Sequence, residues 1–221
     1  MVVAIIPAYN EATRIGQVVR DARRFTACVV VVDDGSTDGT GDVARREGAR
    51  VVRHAENSGA GAATMTGIEA ARRLGATVVV TLDADGQHDP AEIPLLLKPI
   101  QDDTADMVFA NRFGQRNSIP FIRRVFNAIG NVLTLFATGT WIQDSQSGFK
   151  VFGPKALGQV DLRMRGFEFC TEIVRECAQH KWRVAEIPTK VLYSEYTMAK
   201  GQSFAMGIKT ALKILLRSFL R

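Results

Sequence analysis

A chain of 221 residues that is 46% hydrophobic and 23% charged, with mean hydropathy near zero, has the composition of a globular protein with a sizeable core. That excludes a disordered tail, a collagen-like fibre and a polytopic membrane protein. The net charge of +5 is unevenly placed: residues 107–143 hold no acid but four arginines, residues 196–221 hold no acid but five basic residues, and the remainder, with 19 basic against 23 acidic residues, carries −4. Val2–Ile6, Cys28–Val32, Arg50–Arg53, Thr77–Leu82 and Asp106–Ala110 read as buried strands. Between them Glu11–Arg24, Thr37–Glu47, Gly59–Leu74 and Pro90–Gln101 read as helices. This alternation predicts an α/β fold: an open, largely parallel, Rossmann-like sheet flanked by helices, with ligands beyond the strand C-termini. One domain spans 1–221, with no repeat or linker dividing it.

Farther on, the uncharged stretch from Val125 to Gln143 carries Asn127, Asn131, Thr134 and Thr138 on one helical side. Ile122, Phe126, Ile129, Leu133 and Phe136 form the opposite stripe, so an amphipathic helix either packs on the sheet or lies in a lipid interface. A last helix over 203–221, roughly 27 Å long at 1.5 Å per residue, sets Lys209, Lys213, Arg217 and Arg221 against Ile208, Leu212, Leu215 and Phe219. It reads as a membrane-surface anchor, a partner-binding helix or a core-packed helix with a solvated basic edge. The basic segments predict an anionic partner; zinc-finger spacing, RNP-like aromatics and an evident helix-turn-helix are all missing, so no nucleic acid is expected. Three scattered cysteines, Cys28, Cys170 and Cys177, point to reduced thiols, and no basic segment with a long apolar run precedes Pro7. The expectation is a cytoplasmic protein, peripheral at the membrane's cytoplasmic face.

The chemistry-bearing residues follow the strands. Pro7-Ala8-Tyr9-Asn10-Glu11 ends the first, where Asn10 reads as a helix N-cap and Glu11 as a dipole-favoured carboxylate. Asp33-Asp34-Gly35-Ser36-Thr37-Asp38-Gly39-Thr40 ends the second, and two adjacent carboxylates at a buried edge call for a hydrogen-bonded ligand such as a base or ribose. Asn57-Ser58-Gly59-Ala60-Gly61 after the third lacks the last glycine of a dinucleotide loop and reads as a tight helix entry near a ligand. Asp83-Ala84-Asp85-Gly86-Gln87-His88 follows the fourth. Asp-x-Asp at a sheet edge can share one hard divalent cation that grips a pyrophosphate, with Asp85 and Gln87 as the expected direct ligands. His88 reads as a supporting residue or simply a loop residue.

These motifs, with Asp144-Ser145-Gln146-Ser147-Gly148-Phe149-Lys150, make the chain resemble family 2 glycosyltransferases of the GT-A fold, most of all dolichyl-phosphate mannose synthases and bacterial polyprenyl-phosphate glycosyltransferases. The resemblance implies an inverting, metal-dependent hexose transfer from a GDP- or UDP-sugar to a lipid phosphate. It implies that Pro7, Tyr9, Asn10, Glu11, Val32 and Asp34 hold the nucleoside, that Asp83, Ala84 and Asp85 serve the diphosphate, and that Mg²⁺ or Mn²⁺ sits on Asp83, Asp85 and Gln87. The donor half would be 1–111 and the acceptor half 112–221. Arg112 is implied as the acceptor-phosphate arginine, since guanidinium binds phosphate as a planar fork. Arg123 or Arg124 would supply a second contact, or form a solvated surface pair. Lys200 reads as a second cation on a Gly-bearing loop, or as an exposed loop lysine. Asp144 would deprotonate or orient the nucleophile, and chiefly position groups if the acceptor is an already ionised phosphate. Glu168 would support the site or simply start a helix. The alternatives are a glycan or soluble hydroxyl acceptor, and a non-catalytic nucleotide-sugar-binding protein. The terminal transmembrane helices of the branch's longest members have no counterpart in this sequence.

Overall fold

The computed structural model describes residues 1–114 and 121–192. Seven strands form one sheet: β1 (Val2–Ala8), β2 (Cys28–Asp33), β3 (Arg50–Arg53), β4 (Val78–Thr81), β5 (Met107–Asn111), β6 (Lys150–Phe152) and β7 (Val184–Pro188). Their order across the sheet is β3-β2-β1-β4-β6-β5-β7. Every neighbouring pair is parallel except those of β6, which runs antiparallel to both β4 and β5. The helices are α1 (Ile15–Ala22), α2 (Thr40–Arg46), α3 (Ala60–Arg73), α4 (Ile93–Gln101), α5 (Phe121–Thr138), α6 (Pro154–Gln159) and α7 (Phe169–Gln179).

The side-chain period of two divides the core. Val3 and Ile5 of β1, with Val30 and Val32 of β2, face a cluster closed by Ile68 of α3, Leu157 of α6 and Ile173 of α7. Ala4, Ile6, Val29 and Val31 face the other side, against Ile15 and Val19 of α1 and Leu96 of α4. Both faces of these strands are therefore buried, which is why they read as unbroken β-branched runs.

The five expected strands and four expected helices of the first half all form, with two shifts. The first helix begins at Ile15 because Asn10 takes a left-handed backbone (φ 53°) and the N–H groups of Glu11 and Ala12 go to Thr40 Oγ1 and Asp38 Oδ2. Asn10 is thus no helix cap: its Oδ1 accepts the Thr37 N–H at 2.9 Å, and it ties the first strand's exit to the second's. Pro90–Glu92 forms a 3-10 turn that leads into α4, with Asp89 capping it. The second half supplies β6, α6, α7 and β7, none of which periodicity announces. β6 lies between β4 and β5, so the sheet of the first half is completed only by the second.

Helix α5 turns its polar stripe inward. Asn131 and Thr134 are buried, whereas Ile129 and Val132 are exposed and Phe136 is 80% exposed. Asn131 donates to the Gln143 carbonyl and accepts from Ser145 N and Oγ, and Thr134 pairs with Thr171 of α7 at 2.9 Å. Among the described residues no helix is long and apolar enough to cross a membrane. The expected basic helix over 203–221 lies outside the described residues.

Candidate active site

The parallel strands deliver their C-terminal ends to one edge of the sheet. At β2 the adjacent carboxylates are buried and already engaged. Asp33 accepts the Ser36 N–H and stands 3.6 Å from Arg53. Asp34 accepts from Ser58 N and Gly59 N, both at 2.9 Å, and from His54 Nδ1 at 2.7 Å. Because a carboxylate only accepts, Nδ1 of His54 donates to it, and Nε2 shares a hydrogen bond with Thr66 Oγ1 at 3.0 Å. Asp34 therefore anchors the 57–59 turn, and ligand contacts would add to that structural work. Tyr9 is half-exposed above this edge, while Glu11 is buried beside α2. Pro7 and Val32 are register partners in β1 and β2.

The glycines after β3 serve packing. Gly59 has φ 99°, and a Cβ on Gly59 or Gly61 would run into the backbone carbonyls of Arg165 and Met164. The Arg165 carbonyl accepts the Gly61 N–H at 2.8 Å, so a protein carbonyl occupies the start of α3 where an anion would otherwise bind.

At β4, the Asp83 side chain is 47% exposed. A Cβ on Gly148 would overlap its carboxylate, so this glycine permits the contact that floors Asp83. Asp85 Oδ1 accepts the Gln87 N–H at 2.9 Å, and the Gln87 and His88 side chains are buried. Ala84 is buried between the two acids. Asp83, Asp85 and Gln87 offer only oxygen ligands, the donor type that suits Mg²⁺ or Mn²⁺. Among the described residues no group of three or more His, Cys, Asp or Glu gathers to hold an ion unaided. Phosphate oxygens and water would have to complete the shell, as Mg²⁺ usually requires.

At β5, Arg112 and Asp144 meet. The Arg112 backbone N–H and Nε donate to Asp144 Oδ2 at 2.9 and 2.7 Å, and Nη2 donates to Oδ1 at 2.7 Å. Asp144 is fully buried and Arg112 nearly so. A fork–carboxylate pair of this kind is strong and geometrically fixed. Around it, Asn111 donates to Gln143 Oε1 at 2.7 Å and the Gln143 N–H goes to Glu186, whose carboxyl burial pushes up. Arg123 belongs to α5 and Arg124 is exposed on it; the side chain of Arg123, like all of Lys200, lies outside the described residues. Glu168 is buried at the start of α7.

Two groups escaped the sequence reading. His54 follows β3 and buttresses Asp34, and its signal was its place just after a strand, like the acids. Lys150 opens β6 fully buried, donates to the Ser147 carbonyl, and holds its ammonium 5.6 and 5.8 Å from the Phe109 and Phe169 rings. A lysine between Phe149 and Val151 in an apolar stretch was the available sign.

Neighbouring strands lie about 4.8 Å apart, so Asp34 and Asp83, two strand positions apart, stand on the order of 10 Å from each other, and Asp83 and Arg112 do likewise. The edge thus runs from an acid-and-amide end at β2, through an oxygen-rich centre at β4, to the Arg112–Asp144 pair at β5.

The family model described as glycosyl transferase family 2 matches residues 3–160. The chain is 32% identical over 239 residues to UDP-N-acetylglucosamine–dolichyl-phosphate N-acetylglucosaminyltransferase of Methanococcus voltae, covering 98% of this chain and 95% of that protein. It is 29% identical to the polyprenol monophosphomannose synthase of Mycolicibacterium smegmatis, over 94% of this chain and 83% of that one. Among solved structures, glucosyl-3-phosphoglycerate synthase from Mycobacterium tuberculosis, in complex with Mn²⁺, UDP and glucosyl-3-phosphoglycerate, superposes with a TM-score of 0.72 at 18% identity, covering 99% of this chain and 79% of that one.

Proposed function

The chain belongs to glycosyl transferase family 2, and from that premise we propose that it moves a hexose from a nucleoside diphosphate sugar to a polyprenyl phosphate at a membrane surface. The observation that carries the lipid acceptor is the orientation of α5. Its Asn131 holds the 143–145 turn that bears Asp144, while Ile129, Val132 and Phe136, with Trp141, are exposed. A helix that holds the turn of Arg112's partner on one side and exposes an apolar face on the other matches an acceptor with a charged head and a hydrocarbon tail.

In this reading the nucleoside lies along Pro7, Tyr9, Asn10, Glu11, Val32 and Asp34, in the donor half of residues 1–111. Its diphosphate reaches Asp83, Ala84 and Asp85, with Lys200 as an added cation. Asp83, Asp85 and Gln87 would hold a divalent ion, Mg²⁺ or Mn²⁺, whose chemistry is to offset the charge that develops on the leaving diphosphate. Arg112 binds the acceptor phosphate, joined by Arg123, in the half from 112 onward. Asp144, with both oxygens on Arg112, orients that guanidinium. A phosphate acceptor is already an anion and needs no proton removed, which agrees with a carboxylate buried on its arginine and not turned toward substrate. Attack from the face opposite the leaving diphosphate inverts the anomeric carbon.

The test is a transfer assay with UDP- and GDP-linked hexoses, Mg²⁺ or Mn²⁺, and polyprenyl phosphate in vesicles, scored by sugar label in the lipid extract. The expected result is label in the lipid that depends on the cation. Label only on water-soluble acceptors would overturn the lipid assignment.

A further inference from the structure

His88 is buried against the site, and among the described residues neither of its ring nitrogens is used. Its side chain is 1% exposed, its ring tilts on Phe149 with centroids 5.3 Å apart, and among the described residues neither Nδ1 nor Nε2 has a hydrogen-bond partner. Buried side-chain polar atoms are mostly paired, so two orphans on one ring need a reason. Nε2 stands 3.6 Å from Asp83 Oδ2, beyond hydrogen-bond range. Closing that gap to the usual 2.9 Å takes a shift of about 0.7 Å. Among the described residues the Asp83 carboxylate makes no hydrogen bond of its own, and Gly148 floors it on another side.

The backbone around His88 is fixed. It bridges to Val191, and the Leu192 N–H donates to the Gln87 carbonyl. The ring is buried and tilted on Phe149, whereas the Asp83 side chain is 47% exposed, so the freedom to close the gap belongs to Asp83.

We propose that His88 is a positioning residue whose Nε2–H fixes the Asp83 carboxylate in the orientation that serves the donor diphosphate and its divalent cation. This deepens the transferase reading above and rests on it. The imidazole touches neither substrate nor ion: it acts through Asp83, as outer partners of ligating groups commonly do. A shift of the Asp83 carboxylate by about 0.7 Å would give the buried Nε2–H its partner.

The experiment titrates Mn²⁺ into the full chain with UDP or GDP, following free Mn²⁺ by electron paramagnetic resonance, and repeats it on three variants. His88→Gln offers an N–H near the position of Nε2, His88→Asn one near Nδ1, and His88→Phe keeps a ring on Phe149 with no donor. Wild type and His88→Gln are expected to bind alike, with His88→Asn and His88→Phe weaker by about 10-fold or more. Their KM for nucleotide sugar should rise more than kcat falls. Equal binding by His88→Phe and wild type overturns the inference and leaves the transferase reading standing, whereas no loading by wild type overturns both. Should a variant fail to fold, the imidazole ¹⁵N resonances of wild type decide: Nε2 is expected to shift on adding Mg²⁺ with the nucleotide, and an unmoved resonance in loaded protein overturns the proposal.

Discussion

Arg112 and Asp144 show how much a single contact changes what a substitution means. Each was identifiable from its place after a strand or in the Asp144–Lys150 motif, but their pairing across 32 positions was not, because spacing along a chain says nothing of which loops face each other. With Asp144 fully buried, Arg112→Ala would leave a carboxylate with one backbone N–H as its remaining partner from Arg112. Breaking a buried pair on one side costs about 3–5 kcal/mol, and that is the expected drop in urea-unfolding free energy for Arg112→Ala. Replacing both residues with apolar ones should cost much less than the sum of the two single changes. Loss of transfer in Arg112→Ala therefore speaks for acceptor binding only where the nucleotide-dependent thermal shift survives. A variant as stable as wild type would show that the pair contributes nothing in solution.

A helix that hides its polar side is the reverse of the usual surface helix, and Asn131 and Thr134 tie α5 to the 143–145 turn and to α7. Ile129→Ser with Phe136→Ser should then leave the thermal midpoint nearly unchanged, since both side chains already meet solvent. Co-sedimentation with vesicles should fall by about tenfold or more, because each side chain loses part of the roughly 1.5–3 kcal/mol that full burial of such a group provides. Unchanged vesicle binding would remove α5 from the membrane. The sequence held both stripes of this helix but not which one faces the protein, since amphipathicity fixes the angle between the faces and leaves their partners open. The same limit explains the missed elements. β6 is three residues long, and β7 mixes Glu186 and Pro188 into five, so neither shows a period, whereas β1 and β2, buried on both faces, are plain runs of β-branched residues.

Strand β7 joins the sheet through a polar clasp as well as a ladder. Asp106 accepts from the Arg183 backbone N–H, Nε and Nη2, and from Lys155. The Arg183 contacts are the main reason its carboxyl is held down at about 2 from an ordinary 3.8. A depressed carboxyl binds its proton in the unfolded chain first, so its stabilisation is complete above pH 3.8 and is lost as pH falls through 2. Asp106→Asn should lower the urea midpoint at pH 6 and flatten its decline between pH 4 and 2. An acid profile identical to wild type would mean the clasp contributes nothing to stability.

On the scale of the whole molecule, charge and apolar surface make separable contributions to where it works. The two acid-free stretches, 107–143 and 196–221, carry nine basic residues, while the rest of the chain is net negative. One of those stretches contains α5, so positive charge and the exposed apolar face share a segment, and the acceptor proposed above would meet the first with its anionic head and the second with its tail. Charge attraction to an anionic leaflet reaches about 8–10 Å at physiological salt and only about 3 Å at 1 M, whereas the apolar contribution does not weaken with salt. Binding to vesicles rich in phosphatidylglycerol should therefore be tight at 0.1 M NaCl and fall steeply by 1 M. Binding to neutral phosphatidylcholine vesicles should be weak at both, and its remainder should vanish with the Ile129 and Phe136 substitutions. If anionic and neutral vesicles bind equally at low salt, the basic stretches face something other than lipid. The nucleotide-dependent thermal shift should be unmoved by vesicle composition, since the strand ends that carry Asp34 and Asp83 lie in the part of the chain whose net charge is negative.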